Sequence, residues 1–237
     1  MKSCLAFLLL VLCMSSTTCQ SPMTRLEGED SEVLSPRLRF RFDRTPEGAD
    51  KARSIDVEVM HLSGGFDQEL AGLDEVRIED LSFFGPQVVT ADFGLTTASV
   101  AWNRELLSVD RFRLDGNIGL GFMNLDMTLI GNEGQDSTNL SSIGPVAGLQ
   151  VSATLLSDWE LYTGMNLLGG IGSDAGGLTT WEVGFHWQFA GAVAIDAGWY
   201  SNRIEQGQDD YELSDIEVML EGPFLRLSFG FGRDPSR

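Results

Sequence analysis

The stretch that decides the fold is Ile216-Glu217-Val218-Met219-Leu220-Glu221-Gly222-Pro223-Phe224-Leu225-Arg226-Leu227-Ser228-Phe229-Gly230-Phe231. Along it an apolar strand pattern alternates, takes a Gly-Pro-aromatic step, and alternates again to a final phenylalanine. Successive side chains of a β-strand point to opposite faces, so period two marks a strand with two unlike faces. Proline has no N–H for a ladder, so Gly222-Pro223 predicts a bulge or bend.

The same period recurs upstream. Arg37-Leu38-Arg39-Phe40-Arg41-Phe42 is its purest instance, and Ile55, Val57 and Val59 alternate with Asp56 and Glu58. Phe112, Leu114, Ile118, Leu120 and Phe122 hold one face, opposite Arg111, Arg113 and Asp115. Ala147 to Leu155, Trp181 to Phe189 and Val193 to Trp199 repeat the pattern. No window sustains helical spacing. The expectation is an all-β, single antiparallel up-and-down barrel over residues 37–237. Counting back from the C-terminus gives strands at 215–231, 192–202, 179–189, 159–168, 145–156, 110–130, 88–102 and 55–63, which makes eight. Segment 64–87 is then a long loop, and 37–42 is left over. A ten-stranded barrel that uses 37–42 and 76–84 is the competing count.

Connection lengths point to the setting. Residues 103–109, 156–159 and 190–192 read as short. Residues 131–144, 169–178 and 203–214 read as long, Gly-rich and acidic. Transmembrane barrels of the outer membrane alternate short periplasmic turns with longer external loops. Their bulky apolar face meets lipid and their polar face lines the lumen, the inverse of a soluble barrel. Trp102, Trp159, Trp187 and Phe189 fall close to the short turns and Trp181 and Trp199 nearer the long ones, as two interfacial girdles would.

The closing strand Ile216–Phe231 resembles that of small bacterial outer-membrane β-barrel proteins. The resemblance is clearest from about Leu178 to Phe231. It implies that Phe231 belongs to the signal read by the barrel-insertion machinery. This chain departs from the pattern, because Gly232-Arg233-Asp234-Pro235-Ser236-Arg237 follows that phenylalanine.

The N-terminus reads as a targeting segment over residues 1–19. Met1-Lys2 is a small basic start, Leu5–Met14 an apolar run, and Ser15–Thr18 a small-residue stretch for a signal peptidase. Ten apolar residues are too few to span a bilayer as a helix. Cys19 offers a second reading, as the lipidated residue of a lipoprotein signal. The polar, acidic segment 20–36 reads as a flexible leader.

Composition narrows the function. The chain has 35 acidic and 16 basic residues, a formal net charge of −19. That field repels nucleic acid, so a nucleic-acid role is excluded. All three cysteines (Cys4, Cys13 and Cys19) precede Ser21, so the body holds no disulfide and no thiolate metal site. His61 and His186 are the only histidines.

Inward candidates are Arg111, Arg113, Asp115, Asn117, Glu182, His186, Asp196 and Arg226. With both signs present, a salt-bridged polar plug is expected. A lipid A hydrolase is the enzymatic alternative, with His186 and Glu182 on one strand face. That strand carries no serine at the needed spacing, and Ser152 or Ser201 would have to supply a nucleophile from elsewhere. Gly116-Asn117-Ile118-Gly119-Leu120-Gly121 lies inside a strand pattern, so packing glycines are expected and no nucleotide loop. Asn139-Leu140-Ser141 is a glycosylation sequon only in a eukaryotic secretory host. Asp209, Asp210, Glu212 and Asp215 form a solvated acidic loop, with Ca²⁺ as the alternative occupant.

The expectation is therefore a non-enzymatic barrel in the outer membrane of a Gram-negative cell. Its role would be structural, adhesive or ligand-binding through external loops, without cofactor, metal or catalytic residue. Outer-membrane lipid, lipopolysaccharide and the insertion machinery are the expected partners. The alternatives are a soluble lipocalin-like barrel binding a small apolar ligand, and a narrow pore.

Overall fold

The fold is seen in a computed structural model, which describes residues 24–27, 34–44, 52–72, 75–78, 81–171, 176–190, 192–205 and 216–231. The targeting segment, Cys19 and the acidic run 209–215 lie outside the described residues.

Among the described residues every element is a strand. In chain order they are β1 (Thr24–Glu27), β2 (Ser35–Asp43), β3 (Arg53–Leu70), β4 (Glu75–Ile78), β5 (Leu81–Phe84), β6 (Gln87–Val109), β7 (Phe112–Gly131), β8 (Gly134–Leu156), β9 (Trp159–Leu168), β10 (Gly177–Ala190), β11 (Val193–Glu205) and β12 (Ile216–Phe231). Nine of them, β2, β3 and β6 to β12, form one sheet that returns on itself. Eight of its ladders are antiparallel. The ninth joins β12 to β2 in parallel, from Phe224↔Ser35 to Phe231↔Phe42. The parallel seam follows from the odd count, because a ring of alternating strand directions closes without one only when the number is even.

The count of nine lies between the expected eight and ten. Segment 37–42, left over in the eight-strand count, is the strand that closes the ring. Segment 76–84 is not a ring strand, since β4 and β5 pair only with each other. The leader expected over 20–36 is also partly strand. β1 runs parallel to β12, from Thr24↔Ile216 to Glu27↔Met219, on the edge that β2 occupies further along.

Two expected long loops are ladder instead. β3 continues to Leu70 and pairs with β6 as far as Leu70↔Gln87. β7 and β8 stay paired to Gly131↔Gly134, so segment 131–144 is a hairpin arm with a two-residue turn. Of the expected short connections, 156–159 holds its place between β8 and β9, whereas 103–109 is strand. β6 runs on through 103–109 to a turn at Asp110 and Arg111, where Asp110 takes φ 53°. Aspartate tolerates that left-handed region better than most residues. The expected bulge at Gly222-Pro223 is absent from the β11 side, whose ladder passes without a shift of register. Pro223 lies between the β1 ladder, which ends at Met219, and the β2 ladder, which begins at Phe224. Gly119 is needed on packing grounds, since a Cβ there would run into the Val100 carbonyl on β6.

The two faces of the ring exchange character along its axis. In the half nearer the short turns the outward residues are bulky and apolar. They include Phe40 and Phe42, Ile118 and Leu120, Leu149 and Val151, Trp187 and Phe189, and Leu225 and Phe231. Ile118 and Leu120 are 60% and 64% exposed. Inward residues at this level are mostly charged, polar or small. In the half nearer the long connections the order reverses. Leu62, Phe66, Leu95, Met123, Leu129, Ile204 and Leu220 point inward and pack into one core. Leu95, Met123 and Leu129 have no exposed surface, so this half has a filled interior. Outward positions there carry Ser63, Asp67, Asp92, Asn124, Asp126, Asn139 and Ser141. The β4–β5 hairpin caps this end. Its Phe83 is fully buried, and Gln87 Nε2 donates to the Phe84 carbonyl at 2.8 Å and to Glu133 at 2.5 Å.

Candidate functional site

The charged inner face of the short-turn half encloses a cavity of about 700 Å³. Rim residues Asp43, Arg53, Glu105 and Gln188 line its mouth at the short-turn end. Met60, Val146, Leu168 and Leu178 line its other end, where the apolar core begins. The space is a blind cup with polar walls and an apolar floor.

Its deepest wall is an ion-pair network across four strands. Arg226 on β12 donates through Nη2 to Glu182 on β10 at 2.7 Å and reaches Glu58 on β3 at 3.2 Å. Arg37 on β2 donates through Nη1 to the same Glu182 oxygen at 2.8 Å. Arg39 pairs with Glu58 at 2.7 Å, and Arg41 with Asp56 at 2.8 Å. The Arg37 and Arg226 guanidiniums lie 4.8 Å and 5.3 Å from the Phe224 ring centroid. Ring faces carry negative potential, so this placement compensates two nearby cations for lost water. Arg226 Nη1 also donates to the Tyr162 hydroxyl at 3.3 Å. Buried charge is tolerated only when its partners are in place, and here each guanidinium has a carboxylate.

Three smaller clusters complete the wall. Arg113 donates to Asp115 at 2.8 Å and to Glu160 at 3.2 Å. Asn117 Nδ2 donates to Asn166 Oδ1 at 2.8 Å, in space that a side chain at Gly148 would fill. His186 Nδ1 and Asp196 Oδ1 stand 2.8 Å apart, and Ser228 Oγ donates to Asp196 Oδ2 at 3.0 Å.

Seven of the eight inward candidates line the cup: Arg113, Asp115, Asn117, Glu182, His186, Asp196 and Arg226. The eighth, Arg111, is an exposed turn residue whose carbonyl accepts from Thr154 N at 2.8 Å. Sequence reasoning missed Arg37, Arg39, Arg41, Asp56, Glu58 and Glu160. The alternation of 37–42 and 55–59 was the available signal, since it puts all three arginines on one face of their strand and both carboxylates on one face of theirs.

The hydrolase geometry is not assembled. Glu182 is committed to Arg37 and Arg226, and His186 to Asp196 on β11. The serine bonded within this cluster sits on the carboxylate rather than on the imidazole. A nucleophile–base–orienter relay needs the imidazole in the middle. Among the described residues no group of three or more His, Cys, Asp or Glu is placed to hold a metal ion.

Comparison of the chain with protein-family models, curated proteins and solved structures finds no match.

Proposed function

We propose that the ring is a non-enzymatic transmembrane β-barrel of a bacterial outer membrane. It does not conduct, and it carries a folded β-extension on the external side. The observation that carries this reading is the exchange of polarity along the ring axis. In water, a contiguous apolar belt around a whole molecule is a strong liability, since soluble monomers rarely expose patches above a few hundred Å². In a bilayer the same belt is the stable surface, and charges belong inside. The belt has the right height. Nine residues such as Trp181 to Phe189, on a strand tilted by ~40°, rise roughly 23 Å, close to the ~25 Å band of outer-membrane barrels.

Beyond the belt the chain follows the rules for water, with an apolar, filled interior and outer faces that are mostly polar, Val88 and Ile130 excepted. The filled core supports a closed barrel over the narrow-pore alternative. The apolar interior is the one feature shared with a lipocalin-like carrier, but it is packed with side chains and leaves no room for a ligand. The role that follows is display of the extension at the cell surface by a rigid anchor.

Fractionation tests the anchor. The mature chain should sediment with outer membrane and need detergent for release, and a chain that stays soluble after osmotic shock would overturn the reading. Planar bilayers test closure, because a blind cup predicts no stepwise conductance.

A further inference from the structure

A ring of this size is just wide enough for its own side chains to fill. In the short-turn half they fill it unevenly. Arg37, Arg39, Arg226, Glu58 and Glu182 crowd the wall made by β2, β3, β10 and β12. The inward side chains of β6 at this level are Thr97, Ser99, Ala101 and Asn103, and Gly119 on β7 is the register partner of Ala101. The cup of about 700 Å³ is the space that these short side chains leave, and it is of the size that holds a small molecule. Its charges balance. Among the described residues seven arginines and eight carboxylates line it, in a chain whose formal net charge is −19. Two of its ion-pair clusters keep capacity. Arg41 engages Asp56 through Nε and Nη2, and Arg113 engages Asp115 through Nε and Glu160 through Nη2. These arginine side chains are 43% and 34% exposed, and their Nη1 groups donate to nothing among the described residues. Asp115 and Glu160 are also partly exposed.

We infer that the cup binds a short zwitterionic peptide, of two or three residues with both ends free and an aliphatic side chain. The ligand enters through the mouth at the short-turn end, which on the membrane reading above faces the periplasm. Three features favour that occupant. An ion of one sign gains nothing from a wall of balanced charge, whereas a zwitterion finds a partner for each end. Its carboxylate matches the spare guanidinium donors of Arg41 or Arg113, and its ammonium, a donor only, matches Asp115 and Glu160. The floor of Met60, Val146, Leu168 and Leu178 then takes the aliphatic side chain. That floor offers no aromatic ring for the face of a sugar, which is the other neutral polar ligand a wall of this kind could hold. Thr97 and Ser99 supply hydroxyls for the peptide's own amide. Side chains carried on strands and already held in ion pairs lose little entropy on binding.

The test is calorimetric titration of the full mature chain in phosphatidylcholine nanodiscs, with the heat of empty nanodiscs subtracted. The probes are leucyl-leucine, its N-acetyl derivative, its C-terminal amide, glycyl-glycine and maltose. Leucyl-leucine should bind most tightly. Each blocked peptide lacks one end charge and should bind about tenfold or more weakly, as expected for a lost hydrogen bond between charged groups. Glycyl-glycine should also bind more weakly, because it leaves the floor uncovered, and maltose should give no heat. Ser99→Phe, which fills the cup, should abolish binding of leucyl-leucine, while Val100→Phe on the outward face of the same strand should leave it unchanged. Strand content of both variants is checked by circular dichroism, and if Ser99→Phe does not fold, the probe series on the wild type decides by itself. No heat from leucyl-leucine at millimolar concentration overturns the inference. So does equal binding of the blocked and free peptides, binding of maltose as tight as that of leucyl-leucine, or a folded Ser99→Phe that binds like wild type. Failure of the membrane reading registers separately, as a chain that remains soluble without lipid or detergent, and it removes only the periplasmic side from the inference.

Discussion

At the scale of single residues the inner wall is governed by what each buried charge faces. Glu182 is 2% exposed and receives both Arg37 and Arg226. Removing it leaves two buried guanidiniums to share Glu58, 3.9 Å from Arg37 and 3.2 Å from Arg226. Breaking a buried pair from one side costs roughly 3–5 kcal/mol. Glu182→Ala should therefore lower the unfolding free energy by about that amount, measured by urea titration in detergent micelles. Glu182→Gln should lose nearly as much, because the missing quantity is charge rather than volume. A loss below about 1 kcal/mol for Glu182→Gln would mean that water reaches the network. Arg111→Ala makes the contrast, since an exposed turn residue should change stability by no more than ~0.5 kcal/mol. Arg111 and Arg113 occupied the same kind of alternating position in the sequence, yet only Arg113 lines the cup. The turn separates them, because alternation fixes a face only while the strand stays in the sheet.

At the scale of elements, the strands that alternate cleanly were legible, and their cores lie where the pattern puts them. The misreadings have two causes. Segment 131–144 has the composition of a loop because its outward residues are polar, while among its buried residues Leu140, Ser142 and Gly144 only Leu140 is a large apolar side chain. A solvated strand and a loop look alike when only composition is read. Segment 37–42 was unplaced for a different reason. The even strand number assumed for such barrels leaves no site for a strand parallel to the last one. The seam can be tested directly, since the body has no cysteine of its own. Leu38 and Leu227 are register partners across β2 and β12, and paired Cα atoms in neighbouring strands fall within disulfide reach. Leu38→Cys with Leu227→Cys should cross-link on oxidation and shift mobility on a non-reducing gel. Leu38→Cys with Leu167→Cys, on β9, should not. A barrel of eight strands with 37–42 outside the ring predicts no cross-link in either pair.

At the scale of the whole molecule, the tryptophans report which way the chain is turned. All five, Trp102, Trp159, Trp181, Trp187 and Trp199, face outward, each 38–45% exposed. A water-soluble fold of this size would bury most of that surface, since indole is among the largest apolar groups it has. Here Trp159 and Trp187 stack at 5.4 Å toward the short-turn end, and Trp199 lies opposite Val183 and Pro223 further up the belt. In bilayers these rings should lie against acyl chains and headgroups. Reconstitution into lipids brominated along the acyl chain should therefore quench most of the tryptophan emission. Bromination near the headgroup should quench Trp199 and the stacked pair to a similar extent, and more than bromination at the chain end, as read in single-tryptophan variants. Soluble acrylamide should quench little in the same vesicles. If acrylamide quenched strongly and brominated lipid did not, the belt would face water or another protein, and the charged cup would need a different explanation from a lumen held inside a membrane.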